Sequence, residues 1–123
     1  MSLINITGLN VIAVYVTDLD TSVEFYTSML GFVQSKIKMP PGILLETKDT
    51  MLYIEAGRSK KNKFGEKSEF SPCFSTESIK DSYIMCVDSN IQIITDYIEY
   101  APIFALFRIA DPDGNVIEFA GKP

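Results

Sequence analysis

Hydrophobic residues in the first part of the chain follow the pattern of a strand and then a helix. β-Branched and apolar residues over Leu9–Val16 predict a strand. Asp18 marks the turn that follows, and Thr21 and Glu24 have the spacing of a capping box at a helix start. The apolar face of this helix consists of the residues at helical spacing, which are Val23, Tyr26, Met29 and Leu30. Gly31 suits the left-handed conformation that ends a helix.

Three further strands complete the pattern of the first half. Apolar runs predict them at Phe32–Met39, Ile43–Thr47 and Met51–Ala56. A Pro-Pro-Gly stretch at 40–42 and a polar stretch at 48–50 supply the turns between them. Residues 1–57 therefore predict a βαβββ module.

The second half repeats this order with one strand fewer. We expect a strand over Ser82–Asp88, a helix over Ser89–Tyr100 and a strand over Ile103–Ala110. Asp111–Gly114 has the residues of a hairpin turn, with proline and glycine where the backbone requires them. The returning strand is Val116–Ala120, so residues 81–123 predict a βαββ module.

Residues 58–80 form a connector without a clear periodicity. They include a cluster of basic side chains, Arg58, Lys60, Lys61, Lys63 and Lys67. Two interpretations are open, a solvated connector and a mobile lid that carries positive charge to an anionic ligand. A connector of this length is uncommon in a compact domain, so Ser71–Thr76 is a candidate for an additional strand.

Composition limits the class of protein. The 123 residues fit one domain, and no apolar run approaches the roughly 20 residues that span a bilayer. A net charge of −5 argues against a nucleic-acid partner. Cys73 and Cys86 do not make a disulfide framework, and we expect both to be reduced in a cytoplasmic protein. The chain contains no histidine, which excludes a Cys–His nucleophile.

Two stretches carry a family resemblance. VYVTDLDTSVEFY begins at Val14, and DPDGNVIEF begins at Asp111. Together they resemble the vicinal-oxygen-chelate superfamily, which includes glyoxalase I, extradiol dioxygenases and bleomycin-binding resistance proteins. The resemblance implies an α+β fold in which two βαβββ-type modules form a curved, cup-shaped mixed sheet, here with a shortened second module. It also implies a homodimer.

The same resemblance implies four positions for metal ligands. They correspond here to Val11, Glu55, Ser82 and Glu118. Zn²⁺, Ni²⁺ and Fe²⁺ draw much of their affinity from imidazole or thiolate ligands, which these positions lack. We therefore expect no tightly bound metal and no cofactor.

Strand alternation predicts which side chains line the cup. Glu55 and Glu118 are the candidate catalytic carboxylates. Two interpretations are open: the two glutamates approach each other, which would suit proton shuttling or the binding of a cationic group, or Arg108 neutralises one of them. The remaining candidate ligand-binding residues are Tyr15, Tyr53, Ser82 and Cys86. Aromatic and apolar walls with a few polar groups are typical of a site for a small organic ligand.

Three functions agree with these features. The leading interpretation is a metal-free small-molecule-binding protein, similar to the bleomycin-resistance branch of the superfamily. The alternative is a glyoxalase-like lyase or isomerase that uses Glu55 or Glu118 as a base or as weak metal ligands. The third is a dimerisation or regulatory module whose cup is filled by side chains. The sequence leaves catalysis itself open.

Overall fold

The computed structural model describes residues 3–64, apart from residues 6 and 8, and residues 71–123. The chain divides into two compact units, residues 1–58 and 59–123. Among the described residues, no helix is both long enough and apolar enough to cross a membrane.

The first unit is a four-stranded mixed sheet with one helical segment. Its elements are β1 (Val11–Val16), α1 (Leu19–Glu24), a π-helical turn (Phe25–Met29), β2 (Val33–Gln34), β3 (Ile43–Glu46) and β4 (Met51–Ala56). The strand order is β1-β4-β3-β2, with β1 parallel to β4 and the other pairs antiparallel. This confirms the predicted βαβββ order.

The ends of the helical segment show one correct and one wrong prediction. Helix α1 begins three residues earlier than a Thr21 cap requires, because Asp18 is the N-cap and its Oδ1 accepts from the Thr21 amide at 3.0 Å. Gly31 does adopt the left-handed conformation, with φ of +79°, and its amide donates to the Thr27 carbonyl oxygen at 3.1 Å.

The predicted strand 32–39 is much shorter in the structure. After the two residues of β2 the chain turns, and the Ser35 hydroxyl accepts from the Ile37 amide at 3.1 Å. This local side-chain contact competes with strand pairing. In β4, Leu52 and Ile54 are fully buried on the side that meets α1. Alternation therefore places Tyr53 and Glu55 on the opposite face of the sheet.

The second unit has the same architecture. Its elements are β5 (Cys73–Phe74), α2 (Ile79–Asp88), β6 (Ile93–Ala101), β7 (Phe104–Ala110) and β8 (Val116–Gly121). The strand order is β5-β8-β7-β6, with β5 parallel to β8. This module therefore has all four strands, and the expectation that it is one strand short is wrong. The additional strand suggested within 71–76 is β5.

Two predicted elements of this unit are exchanged. Residues 82–88 lie in helix α2 rather than in a strand, and residues 93–101 form strand β6 rather than a helix. Helix α2 begins at its N-cap Ser78, whose hydroxyl accepts from the Asp81 amide at 3.1 Å. Asn90 has a φ of +59° and follows the C-cap Ser89 at the turn into β6.

The hairpin turn before β8 forms as predicted. Asp111 Oδ1 accepts from the amides of Asp113 and Asn115 at 2.9 and 2.8 Å. The Gly114 amide donates to the Asp111 carbonyl oxygen at 2.9 Å, and Gly114 has a φ of +82°. These contacts fix the register of the β7–β8 hairpin.

An aromatic core joins α2 to one face of the second sheet. The Tyr83 ring meets Phe107 edge-on with centroids 5.4 Å apart, and Phe107 stacks on Phe119 at 5.0 Å. Phe107 is fully buried and Phe119 is almost so. Alternation along β7 and β8 therefore places Arg108 and Glu118 on the face that points away from α2.

Candidate functional site

Because the two units have the same architecture, their residues can be aligned from the start of the helix in each unit. The helix N-caps are Asp18 in the first unit and Ser78 in the second. Val11 lies seven residues before Asp18, and Ser71 lies seven residues before Ser78. Val11 and Ser71 therefore occupy equivalent positions at the start of their modules.

Strand register extends this equivalence to the last strand of each unit. Ala13 and Cys73 both lie five residues before their helix caps. Ala13 pairs with Tyr53 on β4, and Cys73 pairs with Glu118 on β8. Tyr53 is thus the equivalent of Glu118, whereas Glu55 lies two residues further along β4. Val11 is thus equivalent to Ser71, and Tyr53 is equivalent to Glu118. We refer to these four residues as the related set.

The sequence predicts Ser82 on a strand that lines the cup. This prediction is wrong, because Ser82 lies in helix α2. The Ser82 hydroxyl donates to the Ser78 carbonyl oxygen one helical turn earlier at 2.8 Å and lies 2.8 Å from the Thr76 hydroxyl. Cys86 lies on the same helix and is buried. Neither residue belongs to a strand that lines a cup.

Tyr53 is held by the turn between β2 and β3. Its hydroxyl accepts from the Gly42 amide at 2.9 Å. The same oxygen lies 2.9 Å from Glu55 Oε1 and 3.0 Å from the Met39 carbonyl oxygen, and both of these atoms are acceptors. Because a phenol has one proton, Tyr53 donates to one of these two oxygens at a time.

The surroundings of Tyr53 raise its pKa on balance. Partial burial raises the pKa of Tyr53 above its usual value, and the hydrogen bond to Glu55 raises this pKa further, although the hydrogen bond from the Gly42 amide acts in the opposite direction. Tyr15 lies beside Glu55 in the β1–β4 register and is 55% exposed. The first unit therefore presents a phenol and a carboxylate within hydrogen-bond distance, with a second tyrosine close by.

The second unit presents a polar row that crosses its whole sheet. Cys73 on β5 pairs with Glu118 on β8, Glu118 pairs with Arg108 on β7, and Arg108 pairs with Thr95 on β6. Side chains that are paired across neighbouring strands lie on the same face. We refer to these four residues as the polar row.

An ion pair lies at the centre of the polar row. Arg108 Nη2 is 2.7 Å from Glu118 Oε1, with the two side chains 38% and 21% exposed. Arg108 Nη1 also donates to the Thr95 hydroxyl at 3.4 Å, a long contact. The guanidinium group therefore neutralises Glu118 and leaves part of its own surface open to solvent.

Cys73 ends the row as a protonated thiol. Partial burial raises the pKa of Cys73 to about 11, and the hydrogen bond and negative charge of Glu118 act in the same direction. The positive charge of Arg108 opposes this rise only in part. At neutral pH the thiol is neutral, and it is a poor nucleophile and a poor metal ligand.

These donors do not fit a divalent metal ion. In the described part of the chain, no three side chains of His, Cys, Asp or Glu lie close enough together to hold one. Glu118 is the one carboxylate in the related set of four positions, and it is already paired with a guanidinium group. A metal ion would have to displace that cation and complete its coordination with water.

Two open hollows lie elsewhere in the first unit. One, of about 480 Å³, is lined by Thr7, Leu9, Asn10, Glu46, Thr47, Lys48, Asp49, Thr50 and Met51. The other, of about 230 Å³, is lined by Gln34, Ile37, Lys38, Met39, Pro40, Pro41, Gly42, Ile43 and Leu44. Neither contains any of the sequence-predicted site residues.

Sequence reasoning names Arg108 and Glu118 as candidate site residues but does not name Cys73, which lies beside Glu118, or Thr95, which lies beside Arg108. Cys73 lies in the candidate strand Ser71–Thr76, for which the sequence indicates no pairing, and Thr95 lies in a predicted helix. The signal that could have aligned β5 with β1 was the helix start at Ser78, since a serine followed three residues later by an acidic residue is typical of an N-cap.

Solved structures with the same fold span nearly the whole chain. A lactoylglutathione lyase from Agrobacterium tumefaciens has a TM-score of 0.71 at 20% identity, covering 93% of this chain and 92% of that one. A glyoxalase/bleomycin resistance protein/dioxygenase from Alicyclobacillus acidocaldarius also has a TM-score of 0.71, at 19% identity, covering 93% and 90%. An integron cassette protein from the mobile metagenome of V. cholerae has a TM-score of 0.70 at 25% identity, covering 97% and 98%.

Sequence comparison identifies the family. None of the curated proteins matches the chain. Residues 8–119 match the family profile described as Glyoxalase/Bleomycin resistance protein/Dioxygenase superfamily. This match covers most of the chain and includes both of the stretches that carry the resemblance. The protein therefore belongs to the glyoxalase/bleomycin resistance protein/dioxygenase superfamily.

Proposed function

We propose that this protein binds a small organic molecule without a tightly bound metal ion. The observation that carries the proposal is the 2.7 Å ion pair between Arg108 and Glu118. A carboxylate that already has a cation as its partner is a weaker ligand for a second cation, because the two positive charges repel each other. The polar face of the second sheet then offers hydrogen-bonding groups to an organic ligand.

The remaining equivalent positions support the same proposal. Val11 has no donor atom, and the Tyr53 phenol is protonated and held by the Gly42 amide. The Ser71 hydroxyl donates to the Val116 carbonyl oxygen at 2.7 Å. Neutral hydroxyl groups that are already hydrogen-bonded add little to the affinity for a transition metal.

Metal loading tests this proposal. The protein is stripped with a chelator, and its thermal unfolding is followed with Mg²⁺, Mn²⁺, Ni²⁺, Zn²⁺ or Fe²⁺ added separately. A ligand that binds only the folded state raises the unfolding temperature. We expect no stabilisation of the wild type and the same result for Glu118→Gln. Stabilisation of the wild type that Glu118→Gln abolishes would overturn the proposal.

A second candidate is a glyoxalase-like lyase or isomerase. It is favoured by the 2.9 Å contact between the Tyr53 hydroxyl and Glu55, which places a base next to a proton donor. The assay is formation of lactoylglutathione from methylglyoxal and glutathione. Turnover that Glu55→Gln lowers by a factor of roughly a hundred or more would establish this alternative. If the leading proposal is correct, neither the wild type nor Glu55→Gln forms lactoylglutathione.

We also propose that the chain acts as a homodimeric, cytoplasmic single domain. In the described part of the second sheet, β6 is an edge strand of nine residues, and long edge strands favour pairing with another chain. Light scattering on the purified protein tests the dimer, and a mass of one chain at all concentrations contradicts it.

A further inference from the structure

We infer that Arg108 is the anchor for a carboxylate group of the bound molecule and that Glu118 competes with that carboxylate. The inference rests on the proposed small-molecule function and names the chemical class of ligand. It arises from the polar row, in which a guanidinium group lies between a carboxylate and a hydroxyl group on one sheet face.

The guanidinium group has unused donors. Arginine carries five N–H groups in a planar fork. Among the described residues, Arg108 has two polar partners, Glu118 through Nη2 at 2.7 Å and Thr95 through Nη1 at 3.4 Å. Since 38% of the Arg108 side chain is exposed, part of this side chain is open to a molecule from solvent.

The chemistry of the row favours a monocarboxylate. A planar carboxylate matches two parallel N–H groups of a guanidinium, which gives a short, charge-assisted contact. The Thr95 hydroxyl lies next to the guanidinium and is able to donate to the same ligand oxygen. A dianion such as phosphate meets stronger repulsion from Glu118, which stays on the same face.

Glu118 lowers the affinity for a carboxylate ligand, whereas Arg108 raises it. Its carboxylate holds Arg108 through an ion pair and repels any incoming anion. A neutral amide at this position keeps the shape of the side chain and removes both effects. Replacement of Glu118 by glutamine should therefore strengthen carboxylate binding, whereas loss of a ligand-binding glutamate would weaken it.

Benzoate is the probe for this inference, and benzamide is its neutral control. Binding is followed by NMR titration of wild type, Arg108→Gln and Glu118→Gln. Charged hydrogen bonds of this kind predict a loss of about tenfold or more in benzoate affinity for Arg108→Gln. We expect Glu118→Gln to gain roughly threefold to tenfold in benzoate affinity, as expected for an exposed ion pair. Benzamide affinity should be the same for all three proteins.

Two matched controls separate the site from overall charge. Lys80→Gln and Glu77→Gln make the same changes in charge at exposed positions of the second unit, away from the polar row. Both should bind benzoate like the wild type. Arg108→Lys keeps the charge but loses the fork, so its affinity should lie between wild type and Arg108→Gln.

Several results would overturn the inference. Absence of benzoate binding, binding that Arg108→Gln leaves unchanged, or weaker binding in Glu118→Gln would each contradict it. The metal-loading test distinguishes a failure of the proposed metal-free function from a failure of the proposed role of Arg108. A metal-dependent stabilisation refutes the proposed function, whereas metal independence together with a failed benzoate test refutes only the role of Arg108.

Discussion

Tyr53 and Glu118 occupy equivalent positions of two sheets with the same strand order, yet their surroundings differ. Tyr53 is neutral, and its hydroxyl is held by the backbone of the turn that contains Gly42 and Met39. Glu118 is charged, and it is held by the side chains of Arg108 and Cys73. Backbone partners in a turn are fixed, whereas an exposed arginine is able to exchange partners.

This difference agrees with a structural role for Tyr53 and with the binding role that we propose for the Arg108–Glu118 pair. The contacts of Tyr53 join β4 to the turn before β3 and should contribute to the stability of the first unit. The contacts of Glu118 link β8 to its two neighbours, β5 and β7, on an open face and should contribute little to stability. A repeated scaffold thus carries a supporting residue in one copy and an exchangeable charged pair in the other.

Gly42→Ala should have the largest effect on stability. A Cβ atom at Gly42 would lie 2.5 Å from the Tyr53 ring carbon Cζ and 2.5 Å from the Ile54 carbonyl oxygen. Because the latter is a backbone atom, the turn itself must move, and we expect a loss of about 1–3 kcal/mol in the free energy of unfolding. Urea denaturation measures this loss, and an unchanged midpoint would show that Gly42 does not approach Tyr53 this closely.

Tyr53→Phe should have a smaller effect. It removes the hydroxyl that accepts from Gly42 and reaches Glu55, and the expected loss is about 1 kcal/mol in the free energy of unfolding. Tyr97→Phe is the matched control, since Tyr97 also donates to a glutamate two residues later, Glu99, at 2.7 Å. Within the described part of the chain the Tyr97 hydroxyl has no backbone partner, so its removal should matter less. Equal losses in urea denaturation would remove the distinction.

The Arg108–Glu118 pair should couple only weakly in the folding equilibrium. A double-mutant cycle with Arg108→Gln and Glu118→Gln should give a coupling energy of about 1 kcal/mol or less, as expected for partly exposed pairs. This coupling should fall as salt is added, because salt screens exposed charges. A coupling energy of several kcal/mol that is insensitive to salt would instead show that the pair mainly stabilises the fold.

Cys73 reports the charge balance of the polar row without a large effect on stability. With a pKa of about 11, its alkylation by iodoacetamide should be slow at neutral pH and should accelerate as the pH rises toward that value. Glu118→Gln should lower the pKa of Cys73 and speed the reaction, whereas Arg108→Gln should raise this pKa and slow it. The measurement uses a Cys86→Ala background, so that only Cys73 reacts. Equal alkylation rates in the parent, Glu118→Gln and Arg108→Gln would contradict the proposed charge coupling along the polar row.

Strong local patterns allowed much of the fold to be predicted from the sequence. Strand β4 and the turn at Asp111–Gly114 were placed correctly, since apolar alternation and turn residues agree there. The segment 82–88 failed because its apolar residues fit either a strand or a helix, and only Ile79 and Cys86 of helix α2 are buried. A short apolar run does not separate these two possibilities.

The candidate site was predictable only in part for a related reason. Glu118 could be placed from the DPDGNVIEF stretch, and Arg108 from the strand before it. The contact between Glu118 and Cys73 depends on the parallel register of β5 and β8, which join distant parts of the chain. Local patterns do not determine such a register, so Cys73 became visible as a partner of Glu118 only in the folded structure.

The central claim is that a guanidinium group, not a metal ion, neutralises Glu118. Its most direct test is a crystal structure of the protein grown with excess Zn²⁺, with anomalous scattering recorded at the zinc edge. We predict no anomalous peak at Glu118 and an Arg108 Nη2–Glu118 Oε1 distance near 2.7 Å. A peak at about 2.0–2.2 Å from a Glu118 oxygen, with Arg108 turned away, would contradict the account.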